Sequence, residues 1–144
     1  MSKIIYTQSN GIVAVIRPAG GDASKAIKDV PDGVAYEIVE DSAIPTDRSF
    51  RSAWVQDNKT VKIDMTKAKD QHRKNIRRAR KFKFPDLDAE YNKLAEISAD
   101  TSAVVAKKQA LRDAPADSAI AAASDTTALK AQWNTSILGT SPYS

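Results

Sequence analysis

Two β-branched runs open the chain. Residues 3–8 and 12–17 are separated by Ser9-Asn10-Gly11, and Asn-Gly tolerates the positive φ values of a tight turn, so the pattern predicts a β-hairpin. Pro18 and the Gly20-Gly21 pair end it, and residues 22–29 suit a short helix. Val30-Pro31-Asp32-Gly33 is turn chemistry. Residues 34–39 read as a third strand, and residues 40–45 as the start of a loop. Thr46 or Asp47 suits the cap of a helical turn over 46–53, with Phe50 and Trp54 one turn apart. Val55 and residues 61–63 flank Asp57-Asn58-Lys59 as a second hairpin. The first part of the chain is therefore expected to be an antiparallel β unit of four or five short strands.

The period changes at Asp64, whose carboxylate suits a helix N-terminus. Met65, Ala68, His72, Ile76, Ala79 and Phe82 recur at spacings of three and four, a narrow apolar stripe with Lys and Arg on the other faces. Pro85 is expected to end this helix. A second helix over 86–98 places Leu87, Tyr91, Leu94 and Ile97 on one face, with acids in its first turn. A third, capped by Asp100 or Thr101 and running to about residue 114, carries Val104, Val105 and Leu111. A short joint between long helices predicts a helical hairpin, with Ile76, Leu94 and Leu111 in its core. A short helix over 126–133 docks Leu129 and Trp133, and residues 134–144 read as extended. The fold class is α+β. Residues 1–63 form the β unit with its Ile-Pro and Phe-Arg loop, and 64–115 the hairpin with a basic first helix. Residues 116–144 form an Ala/Ser-rich segment with a short helix and tail.

Charge sharpens this division. Residues 51–85 hold twelve Lys/Arg against three Asp/Glu, while the flanking stretches are mildly acidic and the whole chain is +4. The basic helix is expected to pair within the protein, with Asp86, Asp88, Glu90 and Glu96 brought beside Arg77, Arg80 or Lys81 by the hairpin. Such exposed pairs are worth only about 0.2–1 kcal/mol each. Alternatively Lys67, Arg73, Lys74, Arg77, Arg78, Arg80 and Lys81 form a face for an acidic protein, with nucleic acid the less favoured partner.

Catalytic chemistry finds little support. There is no cysteine and one histidine, which leaves thiolate chemistry out and gives a transition metal no donor set. His72 falls on the inner stripe and reads as a packing or surface residue. Glu37, Glu40 and Asp41 read as a solvated edge, Gly20-Gly21 as a turn without a phosphate-loop lysine, and no serine sits in a nucleophile elbow. No enzyme activity, cofactor or metal is expected. The longest apolar runs, such as residues 12–16, fall far short of the roughly 20 residues that span a bilayer. The first residues lack a signal peptide's apolar stretch, so a soluble, non-secreted chain with no membrane partner is expected.

The most distinctive stretch is Ser42-Ala43-Ile44-Pro45-Thr46-Asp47-Arg48-Ser49-Phe50-Arg51-Ser52-Ala53-Trp54. With Ile5-Tyr6-Thr7-Gln8, Val30-Pro31-Asp32-Gly33-Val34, Asp64-Met65-Thr66-Lys67-Ala68 and Ala128-Leu129-Lys130-Ala131-Gln132-Trp133, it resembles a family encoded by tailed bacteriophages, often beside their tail-fibre genes. Lys108-Gln109-Ala110-Leu111-Arg112-Asp113-Ala114-Pro115, after Leu87-Asp88 and Tyr91, looks like the C-terminal region of phage tail assembly chaperones. The resemblance implies a non-enzymatic role in tail morphogenesis, as a chaperone binding a tail or fibre protein in the host cytoplasm. A structural subunit kept in the virion tail is the alternative, and a nucleic-acid-binding accessory protein the second. Self-association is left open. One departure is Asn134, where such closing motifs usually have Pro. The β unit's sheet edges could accept a partner strand. The partner-binding residues are expected in the loop: Ile44, Pro45 and Phe50 as apolar anchors, with Arg48 and Arg51 at the rim. Trp54 is assigned to the core.

Overall fold

A computed structural model describes residues 1–143, and the fold is α+β: a small antiparallel sheet region followed by helices. The chain divides into two compact units, residues 1–68 and from Lys69 onward.

In the first unit, β1 (Ser2–Thr7) lies between β2 (Val13–Ile16) and β3 (Tyr36–Glu40), antiparallel to both. The hairpin turn forms as its sequence dictates, since Gly11 has φ +80° and the Asn10 Oδ1 accepts the Ile12 N–H at 3.0 Å. Strands β4 (Trp54–Asp57) and β5 (Thr60–Ile63) pair as a second sheet around Asn58, whose φ is 52°. Period-two alternation then sorts the side chains. Ile5, Val13 and Val39 join Ile44, Trp54 and Val61 in one core. On the opposite face, Ile4 packs with Ala23, Ala26 and Val30. Those alanines come from a 3-10 helix, Ala23–Asp29, capped by the Asp22 carboxylate on the Ser24 N–H at 3.0 Å. The helical turn expected over 46–53 shrinks to Arg51–Ala53.

Helix α1 (Met65–Lys81) starts at Asp64, whose Oδ1 accepts the Thr66 N–H at 2.9 Å. Then come α2 (Phe84–Glu96) and α3 (Ser102–Asp113), the latter led in by Asp100, which accepts the Ser102 N–H at 2.9 Å. Three short helices complete the second unit, α4 (Ser118–Ala122), α5 (Thr126–Lys130) and α6 (Thr135–Leu138). His72, Ile76, Val104, Leu111, Ile120 and Leu129 are fully buried.

Four expectations are corrected here. Pro85 does not terminate α1; it sits in the first turn of α2, where its missing N–H costs nothing. The hairpin forms between α2 and α3, not between α1 and α2. Helix α2 contributes no fully buried residue, so Leu94 is only half-buried while Ile76 and Leu111 are core. Finally, the tail is not extended throughout: Asn134 caps α6 by accepting the Ser136 N–H at 3.1 Å, and Gly139 ends it at φ +83°. Among the described residues, no helix is long and apolar enough to cross a membrane.

Candidate functional site

The loop between β3 and β4 is built largely from its own polar groups. Asp47 Oδ1 accepts the Ser49 N–H at 2.9 Å, and the carbonyls of Arg48 and Phe50 accept the N–H groups of Arg51 and Ala53 at 3.2 and 2.9 Å. This winding turns two expected anchors inward. Phe50 is 1% exposed and Ile44 8%, so the reading of both as protruding contacts is corrected: a unit with few aromatics uses them to fill its core. Arg51 is a strut, its Nη2 donating to the Val13 carbonyl at 3.4 Å. The guanidinium groups of Arg48 and Arg51 lie 5.7 and 5.2 Å from the ring centre of the buried Trp54, within cation–π range. Among the described residues, the buried Trp54 indole N–H finds no hydrogen-bond partner.

Pro45 and Arg48 keep an outward position. They border a cleft of about 240 Å³ with Lys3, Val15, Arg17 and Asp41. Asp41 is paired to Lys3, and the Lys3 ammonium donates to its carboxyl, holding it below the usual carboxylate range.

The strand order leaves the outer edge of β3 unpaired within its sheet. Tyr36 and Ile38, opposite Tyr6 and Ile4 of β1, are 38% and 41% exposed on one face of that edge strand. Its far end is pinned: Glu40 accepts from the Ser2 hydroxyl at 2.9 Å and pairs with the Met1 ammonium at 3.3 Å. The sequence located this strand but not its place at the border, because an alternating pattern fixes which face a residue takes and not which strand lies beside it.

The basic helix sorts its cations in a way composition does not reveal. Lys69 Nζ donates to the Ala121 carbonyl at 2.7 Å, Arg73 pairs with Asp70 at 3.3 Å, and Arg80 Nη1 donates to the carbonyls of Leu111 and Arg112 at 3.2 and 3.0 Å. Lys67, Lys74, Arg77, Arg78 and Lys81 are exposed and make no ion pair among the described residues. The spacing of Lys74, Arg77, Arg78 and Lys81 puts them on one outward ridge. The expected pairing with the acidic helix does not form. Asp88 takes Lys108 of α3 at 2.6 Å, while Asp86, Glu90 and Glu96 are exposed with no ion pair among the described residues. The reason is the hairpin: α2 folds against α3, which brings Asp88 alone to a cation and leaves the other acids facing outward.

The second unit also holds a cluster that sequence reading missed. His72 is fully buried, with Nε2 2.9 Å from the Gln132 carbonyl and Nδ1 2.6 Å from the Tyr143 hydroxyl. A carbonyl only accepts, so Nε2 carries the proton and Nδ1 accepts from Tyr143. Asn75 Nδ2 donates to the same hydroxyl at 3.1 Å. The Tyr143 ring stacks on the imidazole with centres 5.5 Å apart, and Trp133 meets both rings edge-on. Burial pushes the His72 pKa below its ordinary value and that of Tyr143 above. The one usable signal was the pair of tail aromatics, Trp133 and Tyr143, in a chain with so few.

A cleft of about 600 Å³, open to solvent, is lined in part by Asp113, Asp117, Gln132 and Asn134 of the second unit. Among the described residues, no group of three or more His, Asp or Glu side chains is arranged to hold a metal ion. No family model matches this chain, and no curated protein and no solved structure is significantly similar to it.

Proposed function

We propose that this chain is a non-enzymatic tail-morphogenesis protein of a tailed bacteriophage, an assembly chaperone that holds a segment of a tail or fibre protein. The observation that carries the binding half of this reading is the outer edge of β3, unpaired within its sheet, with Tyr36 and Ile38 exposed beside it. An extended partner segment added there would gain main-chain hydrogen bonds and two apolar contacts. Pro45 and Arg48, on a separate cleft of the same unit, are available as rim contacts. The tail context rests on the resemblance over residues 42–54 and 108–115.

The test is capture from infected cells with wild-type protein and with the Tyr36→Lys/Ile38→Lys variant. Lysine on an edge strand blocks strand addition without touching the core. Wild-type protein should retain a tail or fibre protein and the variant should lose it. Equal retention would remove the β3 edge from the reading; retention of no tail component would remove the reading itself. Mass spectrometry of purified particles separates the two tail roles: absence supports a chaperone, stoichiometric presence a structural subunit.

A further inference from the structure

Two unsatisfied surfaces of opposite charge meet at the corner between α1 and α2. Lys74, Arg77, Arg78 and Lys81 form the outward ridge of α1, and Asp86 and Glu90 stand exposed on α2. They do not neutralise each other within the chain, because α2 packs on α3. Between them, at the joint, Phe82 is 73% exposed. One side of its ring borders a shallow, mostly apolar recess of about 190 Å³ whose other walls include Ala79, Trp133 and Pro142. A projection and a recess on one patch, flanked by a basic and an acidic arm, are what a two-fold axis matches to themselves.

We propose that this corner is the contact between two copies of the chain, α1 of each lying antiparallel against α2 of the other. The spacing supports that register. Arg77 and Lys81 are four residues apart, as are Asp86 and Glu90, so with the joints side by side Asp86 of one copy meets Lys81 of the other and Glu90 meets Arg77. Each Phe82 then faces the recess of the opposite copy, which removes apolar surface from water. The same register sets Lys93 against Lys74, a like-charge contact that the two-fold axis makes twice and that weakens the dimer. The exposed ion pairs alone are too weak to hold two chains; the aromatic supplies cohesion and the charges supply the orientation. This contact is independent of whether β3 accepts a strand.

The experiment is sedimentation of the full chain over a micromolar to millimolar series. The mass should rise from 15.6 kDa towards twice that value. Arg77→Glu/Arg78→Glu and Asp86→Lys/Glu90→Lys should each stay monomeric with unchanged helical content, and their equimolar mixture should restore the dimer. Phe82→Ser should abolish association, and Lys93→Glu should tighten it by roughly tenfold. Wild-type protein that stays monomeric throughout overturns the proposal, as does a dimer insensitive to both charge reversals. So does a monomer that binds a random 20-base-pair DNA duplex through the ridge, with affinity falling steeply with salt.

Discussion

The two units solve the same problem with different materials. The β unit, with nine basic and nine acidic side chains in residues 1–68, buries large apolar groups brought from distant points of the chain: Ile5, Val13, Val39, Phe50 and Trp54. The helical unit carries thirteen basic side chains against nine acidic ones, and its interior includes a histidine hydrogen-bonded on both ring nitrogens. One core is held by apolar area, which is insensitive to pH; the other includes a polar network whose worth depends on every member being satisfied. The difference also explains the surfaces. A unit that buries Phe50 and Trp54 offers partners an edge strand and the cleft beside Pro45 and Arg48, whereas the helical unit leaves Phe82 and a line of cations outside.

The contrast breaks first, if it breaks, at Trp54. Removing this fully buried indole by Trp54→Ala should cost about 3–5 kcal/mol, a large part of the roughly 5–15 kcal/mol that holds a domain. Leu94→Ala, on the half-buried face of α2, should cost only about 1 kcal/mol. Denaturant midpoints measure both. Equal losses would mean that α2 is as deeply packed as the sheets.

Acid should separate the units next. The folded pKa of His72 lies below the unfolded value of 6.5 because burial disfavours the cation. The unfolded chain therefore binds the extra proton more readily, so this contribution is fully present above about pH 6.5 and is lost as pH falls through the folded pKa. The shifted acids of the β unit, Asp22, Glu40 and Asp41, are depressed below 3.8, 4.5 and 3.8, the first two chiefly by serine hydrogen bonds and Asp41 by Lys3. Their contributions hold until the solution is much more acidic. Hydrogen exchange at pH 8 and pH 5 should show α1 and residues 132–143 losing protection at pH 5, with β1–β3 unchanged. His72→Leu should abolish that difference and leave the Gln132 carbonyl and the Tyr143 hydroxyl short of a partner, at a cost of about 1–3 kcal/mol.

The smallest expected effect is Tyr143→Phe, which keeps the stacked ring and removes only the hydroxyl shared by His72 and Asn75. It should lower stability by about 0.5–1.5 kcal/mol. A neutral result would place the value of the cluster in ring packing.

Local chemistry was legible wherever a residue governs its own neighbours. Asn10-Gly11, Pro31-Asp32-Gly33, Asn58 and the Asp64 cap each predicted the turn or helix start that forms. What stayed illegible was choice among equivalent partners. The acids of α2 could satisfy cations on α1 or on α3, and periodicity treats Arg73, Arg80 and Lys69 like Arg77 and Arg78, although the first three find partners within the unit. Ile44 and Phe50 illustrate the same limit, because an unusual loop sequence serves a core as readily as a contact. His72 was placed on the inner stripe, but its partner lies 71 residues away, a separation no local pattern can bridge.

The tryptophans fall one to each unit, Trp54 in the first and Trp133 in the second. Each unit thus carries its own fluorophore in a distinct setting. Trp54 is sealed from water with two guanidinium groups near its ring, and Trp133 stands with its ring centre 6.1 Å from that of His72. An imidazolium quenches indole emission at short range, so the emission of a Trp54→Phe protein follows the protonation of His72 together with the local opening that accompanies it. The emission of a Trp133→Phe protein reports only the melting of the sheets.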